Sequence, residues 1–377
     1  MDIFKLDRAA GLARLKSFVP LAGRDYAENR NYDHGPDRHH SVSRLSPYLR
    51  HRLIAESEVA RAILSHHSQQ ACEKFIDELC WRTYWKGWLE MRPAVWTRYC
   101  SDVAALQADK GADYATAIVG NSGIDCFDAW VRELVDTGYL HNHARMWFAS
   151  IWIFTLRLPW QLGADFFLHY LIDGDPASNT LSWRWVAGLH TPGKTYLARP
   201  DNIARYTGGR FAPRGLATVA PPVDGWSNPD PVPLAVDASE PVGRVGLLVH
   251  GDDLCPEVDW IDHQRFTAIA VLNVAAPGAP LVTAARGHAL ADTAQRLGGA
   301  PVLAGHEAIA HWAAAASLDA IVTPYVPVGG TRDAIGTAET SVPITMIRRA
   351  WDNVAWPCAR AGFFGLKKKI PAILATL

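Results

Sequence analysis

Apolar positions in the first two hundred residues recur with the period of a helix. Ile124, Phe127, Val131, Leu134 and Val135 share one face, with capping candidates at Ser122 or Asp125 and a stop at Gly138. Phe75, Leu79, Arg82 and Lys86 belong to another helix, and residues 148–158, apolar all round but too short to span a bilayer, read as a core helix. The periodicity ends in residues 212–242, where proline, glycine and small polar residues concentrate, and this stretch reads as a linker. Beyond it, short β-branched runs alternate with Ala-rich segments. Residues 244–250, 267–274, 301–304 and 319–324 read as buried strands, and 285–297 and 307–316 as crossover helices. The expected architecture is a multi-domain α and α/β chain: an all-helical domain over 1–211, a Pro-rich linker over 212–242 and a small parallel-sheet, Rossmann-like α/β domain over 243–377.

Composition agrees with two domains, since 377 residues exceed what one core usually organises. The formal net charge of −1 neither requires nor excludes a nucleic-acid partner, because a basic groove can sit inside a neutral total. Cys72, Cys80, Cys100, Cys126, Cys255 and Cys358 show no CxxC pairing and no metal-ligand spacing, so no metal site is expected and free thiols in a reducing cytoplasm are. No run approaches the roughly 18 apolar residues of a membrane span, and the first residues lack a sustained hydrophobic region. There is no GxGxxG or P-loop in the α/β half.

The chemistry concentrates in residues 138–190, where Arg145, Asp173, Asp175 and Asn179 stand among aromatic side chains. Removing such ions from water costs several kcal/mol each, so they face one another or a polar ligand. Either an ion pair between helices or a ligand site satisfies that requirement. Glu78, Trp81, Arg82 and Trp85 fall at i, i+3, i+4 and i+7 on one helix face. Two tryptophans there point to a half-buried aromatic cleft rather than an exposed Glu78–Arg82 pair. His141 and His143, two apart, make a poor metal pair. In residues 193–214, Lys194, Arg199, Arg205, Arg210 and Arg214 outweigh Asp201 and interleave with Tyr196 and Tyr206, which suits phosphate contacts beside a stacking surface. Lys367, Lys368 and Lys369 form a second basic run, a solvated helix face or a further phosphate contact.

Several ordered motifs coincide over residues 23–210. Ser43-Arg44-Leu45-Ser46-Pro47, Glu78-Leu79-x-Trp81-Arg82, His141-Asn142-x-x-Arg145-Met146, Leu171-Ile172-Asp173-Gly174-Asp175 with Asn179, and Trp183-x-Trp185 together resemble the flavin-binding helical domain of the photolyase and cryptochrome family. The resemblance implies FAD as cofactor, with Tyr26, Ser43, Arg44, Leu45 and Ser46 toward its phosphates and Arg82, Asn142, Arg145, Asp173, Asp175 and Asn179 around its ring system. It implies that Glu78, Trp81, Met146 and Trp185 receive a flipped-out pyrimidine dimer, that Trp183 and Trp160 pass electrons, and that Lys194, Arg199 and Arg205 contact DNA. Family members acting on (6-4) photoproducts carry histidines where this chain has Asn142 and Met146, so the implied lesion is the cyclobutane dimer. The implied activity is that of a deoxyribodipyrimidine photo-lyase, a carbon–carbon lyase driven by an electron from excited reduced FAD; the alternative is a cryptochrome-like blue-light photoreceptor that binds FAD without repair. The third position of the family's electron chain falls near Ala117, leaving Trp130, Trp147 or Trp152 to complete it. The α/β half follows the helical domain, whereas the family's antenna domain precedes it. A packing or interface role is therefore favoured there and an antenna pigment stays open.

Overall fold

A computed structural model describes residues 4–36, 38–235, 241–259, 265–274 and 277–377. Among them, the helices of the first half are α1 (Arg8–Phe18), α2 (Arg24–Asn29), α3 (Ser46–Arg50), α4 (Glu56–Leu64), α5 (Glu73–Glu90), α6 (Ala94–Leu106), α7 (Gly111–Ile118), α8 (Asp125–Thr137), α9 (Asn142–Ser150), α10 (Trp160–Tyr170), α11 (Pro176–Val186) and α12 (Pro200–Tyr206). The periodicity read from the sequence is visible in α8, which buries Phe127, Trp130, Val131 and Leu134 along one face. It ends at Gly138, whose φ of 67° is left-handed; a Cβ there would lie 2.6 Å from Ile172, so glycine is required twice over. The apolar 148–158 segment continues α9 into a π-helical turn at Ile151–Thr155, and such widened turns often mark functional sites.

The second half is a five-stranded sheet, all parallel, in the order β3-β2-β1-β4-β5. The strands are β1 (Val245–His250), β2 (Ala268–Asn273), β3 (Val302–Ala304), β4 (Ala320–Pro324) and β5 (Ile344–Ile347). Helices α13 (Pro280–Arg296), α14 (Ala308–Ala315) and α15 (Gly330–Gly336) alternate with them, and α16 (Ala350–Ala355), α17 (Phe363–Lys367) and α18 (Ile370–Leu374) follow. The first crossover helix begins at Pro280, five residues before the expected 285, because proline fits the first helical turn. β5 escapes the sequence reading: it is four residues long and half-buried throughout, too short to show a period.

The two halves pack intimately. The chain beyond Phe211 has no helix or strand among the described residues until β1, yet it is fastened to the helical half. Arg92 donates to the Pro229 carbonyl at 3.1 Å, Val232 N–H to Met91 at 2.8 Å, and the Trp226 ring lies 3.9 Å beneath the Arg184 guanidinium. Residues 236–240 of the expected linker lie outside the described residues. After the sheet, the chain returns to α5, where Trp351 donates to Thr83 at 3.0 Å. A Cβ on Gly87 would meet the Trp356 backbone at 2.8 Å, so a side chain at 87 would push these segments apart.

Candidate functional site

A cavity of about 390 Å3 opens where α5, α9 and α11 converge with the loop before α11. It gathers residues singled out in the sequence: Glu78, Trp81, Arg82 and Trp85 of α5, Asn142, Arg145 and Met146 of α9, and Asp173, Asp175, Asn179, Trp183 and Trp185 in and before α11. Apolar walls come from Phe167, Leu171 and Val186. The volume lies in the range of small-molecule sites.

Helix starts place the polar groups. Asp175 caps α11, its Oδ1 accepting from the Ser178 N–H at 2.8 Å, and Pro176 occupies the first helical position. One turn in, Asn179 turns its amide to the Ala164 carbonyl at 2.8 Å, tying α11 to α10. Arg145 and Asp173 form a two-pronged pair at 3.0 and 2.8 Å, and Ser46 donates to the same carboxylate. Arg145 Nε adds a 3.0 Å bond to the Leu140 carbonyl. Burial opposes ionisation of Asp175, but Lys86 and Arg82, each 3.2 Å away, and Arg50 at 3.9 Å outweigh it and hold the carboxyl well below its ordinary range. The same burial lowers the Lys86 ammonium, with Asp175 opposing. Arg82 Nε is buried and makes no hydrogen bond; its approach to Glu56 at 3.4 Å is an ion-pair distance only.

Glu78 and Arg82 do not pair with each other, in keeping with the cleft read from the sequence. Glu78 pairs with Arg30 of the loop after α2, while Arg82 turns the other way to Asp175 and Glu56. Burial raises the Glu78 pKa, with Arg30 pulling it down. Trp81 stacks on Phe363 of α17, ring centres 3.8 Å apart at 10°, so the C-terminal segment covers one indole face. Trp185 stacks more loosely on Tyr196, at 5.7 Å.

None of the five residues expected toward the phosphates lines this cavity. Tyr26 packs edge-on against Phe18 and Phe75, Leu45 is core, and the Arg44 guanidinium lies 4.5 Å over the Phe4 ring. Ser43 accepts from the Leu45 N–H, closing a local turn. Ser46 alone reaches the site, through Asp173. The ring neighbours of Trp183 are Phe148, Trp152 and Phe167, whereas Trp160 stacks on Tyr99; among the described residues the aromatic contacts lead from Trp183 to Trp152. Lys194, Arg199 and Arg205 are all exposed, Arg199 beside Asp201 at 3.1 Å and Arg205 over Tyr206 at 5.2 Å. The Lys367 ammonium, at the head of the second basic run, binds Glu73 at 2.9 Å and Asp77 at 2.6 Å. His141 is buried against His39, and His143 stacks between Trp147 and Tyr206.

Arg30, Arg50 and Phe363 escaped the sequence reading. Arg30 and Phe363 meet α5 only through contacts 48 and more than 270 positions apart, which no local pattern encodes. Lys86 did leave a signal, a cation in register with Phe75, Leu79 and Arg82 on a helix otherwise buried from Thr83 to Glu90. A second cavity of about 570 Å3 lies at the C-terminal ends of β1 and β2, against α6 and α10, where strand order reverses around β1. No cluster of three or more metal-ligating side chains occurs, no helix is long and apolar enough to cross a membrane, and all six thiols are free, among the described residues.

Comparison with known proteins locates the same region. Residues 75–208 match the family described as the FAD binding domain of DNA photolyase. The deoxyribodipyrimidine photo-lyase of Streptomyces griseus is 35% identical over 182 residues, covering 46% of this chain and 38% of that protein. An enzyme of the same name from Thermus thermophilus is 31% identical over 231 residues, covering 59% and 52%. The chain thus spans about half or less of the length of these relatives. A bacterial class III photolyase from Agrobacterium tumefaciens is 27% identical, with a TM-score of 0.46 over 54% of this chain and 43% of that one.

Proposed function

The helical half of this chain belongs to the photolyase and cryptochrome family through its FAD-binding domain, and from that premise we propose that the chain is a light-driven lyase for cyclobutane pyrimidine dimers in DNA. The observation that carries the reading is the cavity in which Glu78, Trp81, Met146 and Trp185 stand beside Arg145, Asp173, Asp175 and Asn179. The donor set suits FAD. A flat, partly polar ring system needs apolar walls, here Phe167, Leu171 and Val186, with hydrogen-bonding groups at its edge, here Asn142, Arg145, Asp175 and Asn179. Held there by Asn142, Arg145, Asp175 and Asn179, reduced FAD would supply light-driven electron-transfer chemistry for opening the cyclobutane ring.

The protein's own groups do the rest. Arg145, fixed by Asp173 and the Leu140 carbonyl, would offer the ring system a pre-oriented dipole that needs little reorganisation when charge moves. Glu78, braced by Arg30, accepts hydrogen bonds from the extruded bases; burial raises its pKa and Arg30 opposes that. Extruding the two joined bases from the duplex costs a few kcal/mol, least for a distorted lesion. Stacking on Trp81 and Trp185 returns about 1 to 3 kcal/mol per base and offsets it. Lys194, Arg199 and Arg205, exposed on the Tyr196 side of Trp185, supply phosphate contacts.

A second reading, a photoreceptor without repair, is favoured by one observation: Phe363 already occupies a face of Trp81. The two separate on illumination of reduced protein with single- and double-stranded DNA containing thymine dimers. Light-dependent restoration of intact thymines is expected. No gain in either substrate, from protein loaded with FAD, overturns the repair reading and leaves the photoreceptor.

A further inference from the structure

A continuous ionic network joins the two halves beneath the cavity. Arg50, Arg52, Arg82, Lys86, Glu56 and Asp175 enter it from the helical side, and Asp252, Asp253, Arg349 and Asp352 from the α/β side. No side chain among these ten is more than 13% exposed. Four cations against two carboxylates leave the helical side with two positive charges in excess; three carboxylates against one arginine leave the α/β side with two negative. The two excesses cancel across the interface, so these ten groups together bury no net charge. His250 does not alter this balance, since its Nδ1 accepts from the Asp252 N–H and burial lowers its pKa. Arg286 of α13 also stands near Asp252 and Arg50, on the wall of the larger cavity.

The link to the cavity is short. Arg50 Nε donates to the Gly174 carbonyl at 2.7 Å, and its Nη1 binds Asp252 in the turn after β1. Gly174 lies between Asp173 and Asp175 and forms part of the wall of both cavities. Asp252 therefore anchors, through one arginine, the loop that carries both cavity carboxylates.

We infer that Asp252 is a positioning residue for the flavin cavity: the α/β domain supplies through it the charge that fixes the Asp173–Asp175 loop and sets the reduction potential of the bound flavin. This rests on the FAD reading above. It assigns the C-terminal domain a part in the chemistry without any pigment of its own.

The test uses the full chain loaded with FAD and a spectroscopic redox titration. Asp252→Asn leaves a positive charge unbalanced. That favours the reduced, anionic flavin, so the midpoint potential rises. A unit charge one helix diameter away, about 10 Å, at an effective dielectric constant near 20 changes the reduced-to-oxidised ratio by about tenfold at fixed ambient potential. For a two-electron couple that is about 30 mV. Asp252→Glu, keeping the charge, returns the potential toward wild type. Asp252→Asn combined with Arg50→Gln restores neutrality but also removes the Arg50–Gly174 bond, so its potential stays displaced from that of wild type. A loss of stability alone would move neither potential. A folded, loaded Asp252→Asn protein with the wild-type potential overturns the inference. Should Asp252→Asn not fold, a folded, loaded double variant with the wild-type potential overturns it instead. Wild-type protein that takes up no FAD sinks the functional reading as well, which separates the two failures.

Discussion

Asp173→Asn is the sharpest probe of how the cavity is held. The substitution keeps the side chain's shape and removes its charge. Asp173 accepts two hydrogen bonds from Arg145, at 3.0 and 2.8 Å, and one from Ser46, and its side chain is 2% exposed. Removing one partner of a buried pair costs about 3–5 kcal/mol, because the other charge stays buried and unpaired. Arg145 retains 24% exposure and its bond to the Leu140 carbonyl, so water can relieve part of that cost. A loss of about 2–3 kcal/mol follows, roughly 30- to 150-fold in the unfolding equilibrium at 1.4 kcal/mol per tenfold. Urea unfolding of flavin-free protein measures it, as a lower midpoint with an unchanged slope. Asp136→Asn, at an exposed position of α8, serves as the control. If both variants unfold at the wild-type midpoint, the Arg145–Asp173 pair does not hold the cavity and the reasoning fails.

Further outcomes are expected elsewhere. Phe363→Ala should cost about 3 kcal/mol as a buried aromatic truncation and, by uncovering Trp81, tighten binding of dimer-containing DNA; unchanged DNA affinity in calorimetry would show that the stack does not compete with a base. Trp152→Phe should slow photoreduction of bound flavin as much as Trp183→Phe does, whereas Trp160→Phe should have the smaller effect, as transient absorption will tell. Although burial raises the Asp253 pKa, Arg349 and Arg52 bring it from 3.8 to about 2. Its stabilising contribution is therefore complete above pH 3.8, disappears as pH falls toward 2, and amounts to about 2 kcal/mol by linkage; Asp253→Asn should flatten that limb of the acid-unfolding curve.

Local grammar carried much of this molecule. The face of α8 and its stop at Gly138 follow from helical spacing and one left-handed glycine, and four of the five strands from β-branched runs. The cavity residues were legible because their motifs sit at element starts: Asp175 caps α11, and Asn142 opens α9. What stayed hidden is long-range. Glu78 finds Arg30 rather than its helical neighbour Arg82, since Arg82 is drawn into the Asp175 and Glu56 charges that only the folded interface brings near. Arg50 and Asp252, 202 positions apart, carry no pattern that names them as partners. Tyr26 and Leu45 bury their side chains in the apolar core, which the motif spelling alone does not reveal. The second basic run illustrates the same limit, because the acidic residues that take Lys367 lie on a helix 290 residues earlier.

The central claim is that the cavity bounded by Arg145, Asp173, Asp175 and Asn179 holds FAD. Titrating FAD into flavin-free protein, followed by absorbance and calorimetry, tests it most directly. One FAD per chain is expected, with affinity reduced at least tenfold by Asn179→Ala and by Asp175→Asn but not by Asp136→Asn. Saturable binding that ignores the two cavity variants, or no binding at all, contradicts it.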